Sequence, residues 1–317
     1  LMRICSGHPD LDVRFATGDS QAGTAIADLY PSLAGICGDD RFVPWDPALL
    51  EDVEAVFLGL PHGASQALME DVLAAGVKVV DLGADFRLPA DAYEYWYGEQ
   101  HAAPHLLERF VYGVPELHRD EIAAADAVAN PGCYPTAASL AMAPFVDAGL
   151  VDTSAVVVNA VSGVSGAGRP PKPNTTFCAV DEDVSAYGLL SHRHTAEMEM
   201  NLGATVLFTP HLVPMNRGIL ATCTARPTEG AEIDSAALMA VMEDFYESEP
   251  FIVVSERSPS TKATLGTNAV HVTARHDPRT GAVLAIAAID NLGKGASGAA
   301  VQNMNLMLGL PEEAGLL

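Results

Sequence analysis

The sequence predicts an α/β protein in two parts. The first half reads as a doubly wound, mostly parallel sheet, and the second as an α+β domain with a mixed or antiparallel sheet. Three observations carry that prediction. "VEAVFLGL" (53–60) is a near-continuous apolar run, the pattern of a strand buried on both faces. "PHG" ends it, "ASQALMEDVLAAG" (64–76) forms an amphipathic stretch closed by glycine, and "VKVVDLG" (77–83) is a second apolar run, which together make one βαβ unit. From about residue 155 the rhythm changes to longer strands with fewer helices between them: "AVVVNAV" (155–161), "NAVHVTAR" (268–275) and "AVLAIAAID" (282–290).

The chain opens on "LMRICSGHPDLDVRFATG", which reads as the end of a helix, a turn at Gly7–Pro9 and a strand near 12–17. A dinucleotide-binding sheet needs a strand and a G-x-G-x-x-G turn ahead of such a helix. No such pattern precedes Leu1, so either the chain binds no dinucleotide or that strand lies upstream of this numbering. After the βαβ unit come a short strand "AVAN" (127–130), a Pro131–Gly132 turn and a helix to about Ala148. Pro135 falls in the first turn of that helix, where a missing N–H is tolerated. The closing "SGAAVQNMNLMLGL" (297–310) is helical and is expected to return to the first domain. The expected division is residues 1–130 with 294–317 in one domain and 131–293 in the other.

Composition narrows the function classes. Nearly half of the 317 residues are apolar, yet no run is long and clean enough to span a membrane and no signal peptide opens the chain. A formal charge of −24 argues against nucleic acid or an anionic membrane as partner. The five cysteines are odd in number, widely spaced and without a C-x-x-C, which fits neither a disulfide framework nor a zinc knuckle. A reducing cytoplasm is the expected location.

One cysteine stands apart. In "AVANPGCYPTAASLAMAPFVDAGL" (127–150), Cys133 sits between a Pro-Gly turn and a helix start. Unpaired N–H groups and the helix dipole favour an anion there, so the thiol's pKa is expected to fall and the thiolate to serve as nucleophile. A small buried cysteine at a helix start is the plainer alternative. "SHRHTAEMEM" (191–200) offers a base: His192 or His194, with Glu197 three residues beyond His194 and able to orient it. The same H-x-H and Glu lack a third or fourth ligand for a metal. "SGVSGAGR" (162–169) follows a predicted strand and suits an anion or the polar face of a cofactor through Ser162, Gly163, Ser165, Gly166, Ala167 and Gly168. It is no serine-hydrolase elbow, because G-x-S-x-G fails at Ala167. Arg217 in "PMNRG" and Arg87 in "GADFRL" are candidates for gripping a phosphate or carboxylate.

Together these segments resemble the N-acetyl-gamma-glutamyl-phosphate reductase family, relatives of aspartate-semialdehyde dehydrogenase. The carriers span the whole chain: "LPHG" (60–63), "GADFRL" (83–88), "YGVPEL" (112–117), "NPGCYPTA" (130–137), "VSGVSGAGR" (161–169), "HRHTAE" (192–197), "PMNRGILAT" (214–222) and "AIDNLGKGASGAAVQNMNLMLG" (288–309). The resemblance implies a Rossmann-like dinucleotide-binding domain, a catalytic and oligomerisation domain, and NADPH-dependent reduction of an acyl phosphate in arginine biosynthesis. It implies Cys133 as nucleophile, His194 or His192 as base with Glu197 in support, and a homodimer or homotetramer. It places Ser162–Gly168, Asn291, Pro61 and Thr17 near the cofactor, with Arg217, Arg87 and Asn130 as candidates for the substrate.

Two features depart from the family pattern. Its first strand and glycine-rich loop are absent from this numbering. Where many members carry "TSRS", this chain has "TGDS" (17–20); Asp19 suits the ribose hydroxyl of NAD better than the 2′-phosphate of NADP. The rival readings are the same chemistry on aspartyl or aminoadipyl phosphate, a cofactor-free cysteine hydrolase or acyltransferase, and a non-catalytic protein that kept the fold.

Overall fold

The structure is a computed structural model that describes every residue except 169 and 171. Four short strands, β1 (Ala55–Leu58), β2 (Lys78–Asp81), β3 (Phe110–Tyr112) and β4 (Ala127–Ala129), form an all-parallel sheet in the order β1-β2-β4-β3. Seven longer strands form a mixed sheet: β5 (Val156–Ser162), β6 (Ser185–Ala186), β7 (Val206–Leu212), β8 (Ile219–Ala225), β9 (Ile252–Val254), β10 (Val270–Asp277) and β11 (Ala282–Ile289), ordered β6-β7-β5-β8-β11-β10-β9. The longer helices are α1 (Ala64–Ala74), α2 (Ala90–Tyr97), α3 (Pro115–Ala124), α4 (Cys133–Asp147), α5 (His194–Leu202), α6 (Ser235–Phe245) and α7 (Gly298–Leu308).

The parallel sheet is apolar on both faces because helices cover both. Met69 and Val72 of α1 pack with Leu58 and Val79 on one side. Ile122 of α3 and Ala300, Met304 and Met307 of α7 pack with Val80 and Val128 on the other. The C-terminal helix thus returns to the first sheet, as its apolar pattern predicts. The expected strand at 12–17 does not form; only an isolated parallel bridge joins Thr17 to Val43. A strand needs a neighbour for its row of N–H and C=O groups, and residues 12–14 have no ladder partner among the described residues.

Helix α4 joins the two halves. It is buried almost all round and packs, with α6, against the mixed sheet, on β8, β10 and β11. Its interior holds Pro144, which has no N–H to offer the carbonyl of Leu140. The Tyr246 hydroxyl supplies the missing donor, at 2.7 Å from Leu140 O. Between β11 and α7 a π-turn, Gly293–Ser297, places Lys294 in full burial, where its ammonium bonds to Glu116 of α3 and to Gln302 of α7. That turn also brings Gly295 against the nucleophile: a Cβ there would lie 2.9 Å from Cys133 Cβ.

Candidate active site

Cys133 is the first residue of α4, half-buried, with Gly132 as the N-cap in an extended conformation. Glu197 of α5 organises its surroundings. The carboxylate is 0% exposed. Its Oε2 accepts from the Gly132 N–H at 2.9 Å and from the Tyr112 hydroxyl at 2.8 Å. Its Oε1 accepts from Arg87 Nη1 at 3.1 Å and lies 3.8 Å from His194 Nε2. One carboxylate therefore ties the residue before the nucleophile to Tyr112 and a guanidinium, with the imidazole beside it. Gly132 is required by that closeness, because a Cβ on it would come within 2.6 Å of His194 Nε2.

The two histidines are distinguished by their bonds. His192 Nδ1 accepts the backbone N–H of His194 at 3.2 Å, so in the neutral ring the proton is assigned to Nε2. His194 Nδ1 is buried and has no partner among the described residues. Burial pushes His194 down to about 3 and His192 down to about 4, in each case against the attraction of the Glu197 charge. Both rings are neutral at pH 7. For Glu197, burial alone would raise the pKa; the charge of Arg87 and the Gly132 and Tyr112 bonds outweigh it and hold the carboxyl below its usual range.

The expectation of a lowered thiol pKa does not survive. Burial pushes Cys133 up to about 11, although the N–H of Tyr134 and the charge of Arg87 both pull it down. A helix N-terminus supplies partial charges, and here the loss of solvation outweighs them. The resting site thus pairs a neutral thiol with a neutral imidazole, with no hydrogen bond between them.

The other sequence candidates divide. Loop 162–168 does lie beside Asn291: Asn291 Nδ2 donates to Ser165 Oγ at 3.0 Å, and its Oδ1 accepts the Gly218 N–H at 2.7 Å. The loop does not offer an amide nest, however. The N–H groups of Gly163, Val164, Ser165, Gly166 and Gly168 all donate to carbonyls of the protein. Gly163 lies so close to Asn216 that a Cβ would meet its carbonyl oxygen at 2.6 Å. Ser162 Oγ turns to Gly163 O, Ala167 ends a short 3₁₀ turn, and Arg169, the last residue of the motif, lies outside the described residues. Pro61 is exposed just beyond β1, while Thr17 and Asp19 lie on the turn that bridges to Val43.

The three substrate candidates are largely committed elsewhere. Arg87, with 8% of its side chain exposed, is spent on Glu197 and on Leu82 O. Arg217 makes a two-point contact with Asp290, at 3.0 Å and 2.9 Å. Asn130 bridges Ala296 O and Asn303. Two groups bonded to Glu197 escaped the sequence reading. Tyr112 stood in a quoted motif but its reach to Glu197 depends on tertiary packing, and the Gly132 N–H has no side-chain signal. Arg193, between the two histidines, is a further basic residue lining this site.

Comparison with known proteins shows the family. Residues 1–125 match the semialdehyde dehydrogenase NAD binding domain, and residues 133–291 the semialdehyde dehydrogenase dimerisation domain. An N-acetyl-gamma-glutamyl-phosphate reductase from Symbiobacterium thermophilum is 46% identical over 330 residues, covering 100% of this chain and 93% of that protein. The chain belongs to that reductase family. Reductases of the same name from Rhodopirellula baltica and Thermus thermophilus are 44% and 45% identical, each covering 100% of this chain and 94% of its own. Among solved structures, aspartate semialdehyde dehydrogenase with NADP from Candida albicans superposes with a TM-score of 0.72 at 13% identity, over 97% of this chain and 94% of that one. The Vibrio cholerae aspartate semialdehyde dehydrogenase II complexed with ASA gives 0.68 at 19%, over 94% and 90%. At such identities these two show a shared fold, that of the family's NAD-binding and dimerisation domains.

Proposed function

We propose that this chain reduces N-acetyl-gamma-glutamyl phosphate to the corresponding semialdehyde and phosphate with a nicotinamide cofactor, as a cytoplasmic step of arginine biosynthesis. The carrying observation is the Glu197 carboxylate, which accepts the Gly132 N–H at the start of the Cys133 helix and lies 3.8 Å from His194 Nε2. Cys133 Sγ attacks the acyl carbon, the carbon–oxygen bond to phosphate breaks, and a thioester forms. Because the thiol is protonated at rest, its proton must leave during the attack, and the unpartnered Nδ1 of neutral His194 is the acceptor. The same proton returns when the tetrahedral oxyanion collapses to aldehyde and thiol. The N–H groups at the start of α4 and the Nε2–H of His192 are the donors available to that oxyanion.

The cofactor would lie where the C-terminal ends of β1, β2 and β4 converge on Pro61, Asp81 and Asn130, the usual crevice of such a sheet. Asp81 supports this fit: its Oδ2 is buried with no partner among the described residues, and burial raises the carboxyl to about 6. Such an oxygen suits a sugar hydroxyl or an amide donor. Ser165, Asn291 and the bare loop around Gly163 and Gly166 would bound the nicotinamide from the second domain, which we take as residues 131–293. When bound, the nicotinamide supplies the hydride that reduces the thioester. We assign NADP as the cofactor, with Asp19 admitting NAD, and a homodimer or homotetramer built through the mixed sheet, which leaves Leu207 and Val253 exposed.

The test is phosphate-dependent reduction of NADP⁺, and separately of NAD⁺, by N-acetylglutamate semialdehyde, for the parent protein and Cys133→Ser. Turnover that needs phosphate and disappears in the variant is expected. A folded Cys133→Ser protein that keeps its activity would sink the assignment of the nucleophile. A parent protein inactive with both cofactors would sink the reaction.

A further inference from the structure

The acidic chain neutralises almost every cation near the site. Arg87 is paired with Glu197, Arg217 with Asp290, and Lys294 with Glu116. Arg193 is different. It is exposed, it stands between His192 and His194, and no carboxylate among the described residues pairs with it. Its guanidinium carbon lies 4.5 Å from the centroid of the Tyr97 ring, within the range of a cation–π contact. Tyr97 is itself held in place, stacked 4.6 Å from Tyr93 and 4.5 Å from His62. A cavity of about 360 Å³ opens between the two domains at this point, lined by Ala84 and Tyr97 from one side and by His192, Arg193 and His194 from the other.

A guanidinium that rests face-on against an aromatic ring keeps its edge N–H groups free, in the fork geometry that matches a carboxylate or phosphate. In a chain of charge −24, an unpaired arginine inside a cavity shared with the proposed base is a preorganised anion site. We propose that Arg193, steadied by Tyr97, is the specificity-determining residue that grips an oxyanion of the substrate, its carboxylate or its phosphate. This rests on the reductase reading, whose substrate carries both groups. It also explains how the site manages without Arg87 and Arg217, whose charges are already balanced.

Running the reaction from the semialdehyde separates the two anions, since the carboxylate enters on one substrate and phosphate enters as the other. The experiment measures KM for semialdehyde, for phosphate and for NADP⁺ in the parent protein, Arg193→Gln and Arg193→Lys. Loss of a charge-assisted bidentate contact should raise one of the first two about tenfold to a hundredfold. KM for NADP⁺ and the circular dichroism should stay unchanged, and lysine should restore the affinity only in part. A rise for semialdehyde assigns the carboxylate, and a rise for phosphate assigns the phosphate. Both values within twofold of the parent, or a rise confined to NADP⁺, overturns the proposal. Tyr97→Leu should raise the same KM as Arg193→Gln, by a smaller factor, while Tyr97→Phe should not. An inactive parent protein would refute the reductase reading first; calorimetric titration with N-acetylglutamate and with inorganic phosphate would then decide Arg193 alone. Equal affinities in parent and Arg193→Gln would overturn it.

Discussion

Arg87→Met removes the guanidinium that faces Glu197 and leaves the carboxylate with only the Gly132 and Tyr112 donors and a neutral imidazole. Both partners are shielded, at 8% and 1% side-chain exposure, so solvent screens the pair very little. Breaking a buried pair from one side costs about 3–5 kcal/mol, most of it the penalty of the charge left behind. The pH dependence follows from the carboxyl. In the parent protein its folded pKa lies below the unfolded value, so its stabilisation is complete above roughly pH 4–5 and is lost only as pH falls through the folded pKa. Without Arg87, burial dominates and the folded pKa rises. The deficit should therefore be largest at pH 7–8 and shrink toward pH 5, where a neutral acid needs no cation. Calorimetric unfolding of parent, Arg87→Met and Arg87→Met/Glu197→Gln at both pH values reads this out. The single variant should unfold several degrees lower at pH 7.5, and the double variant should recover much of the loss. A deficit that widens on acidification, or no deficit at pH 7.5, would refute the reasoning.

Other consequences follow from the same packing. Cys133, with its thiol pushed up to about 11, should react with iodoacetamide about tenfold faster for each pH unit between 7 and 10; a plateau below pH 8 would show an ionised resting thiol instead. Gly132→Ala drives a methyl group into the His194 ring, which should lower kcat at least tenfold and destabilise by about 1–3 kcal/mol. Unchanged kcat would mean that the imidazole is not held at Gly132. Tyr246→Phe strips the donor from Leu140 O opposite Pro144, for an expected loss of about 1–3 kcal/mol in unfolding experiments. Asp19→Ser should shift the ratio of NADP⁺ to NAD⁺ turnover toward NADP⁺, and a ratio that does not move would remove Asp19 from cofactor choice.

Much of the architecture is legible in the chain because it depends on local patterns. The apolar runs at 53–60 and 77–83 became β1 and β2 because a strand covered on both faces has no polar side to alternate with. Period and turn chemistry likewise marked α1, α4 and α7. The failed strand at 12–17 shows the limit of that reasoning, since its residues look extended and yet lack a ladder to join.

The sequence by itself determined which residue types could do chemistry here: a cysteine at a helix start, two histidines, and a glutamate three positions beyond the second. Spacing was enough to bring His194 and Glu197 to one turn of α5. Only the tertiary structure decided what those groups are like. Cys133 became a reluctant acid because neighbours far away in the chain exclude water from it. Arg87 became the partner of Glu197 because a loop after β2 is packed onto α5, 110 residues later. Arg193 was left as a free cation beside them because no carboxylate of the described fold reaches it. Solvation and long-range charge pairing are properties of the packed whole, and no local window of sequence contains them.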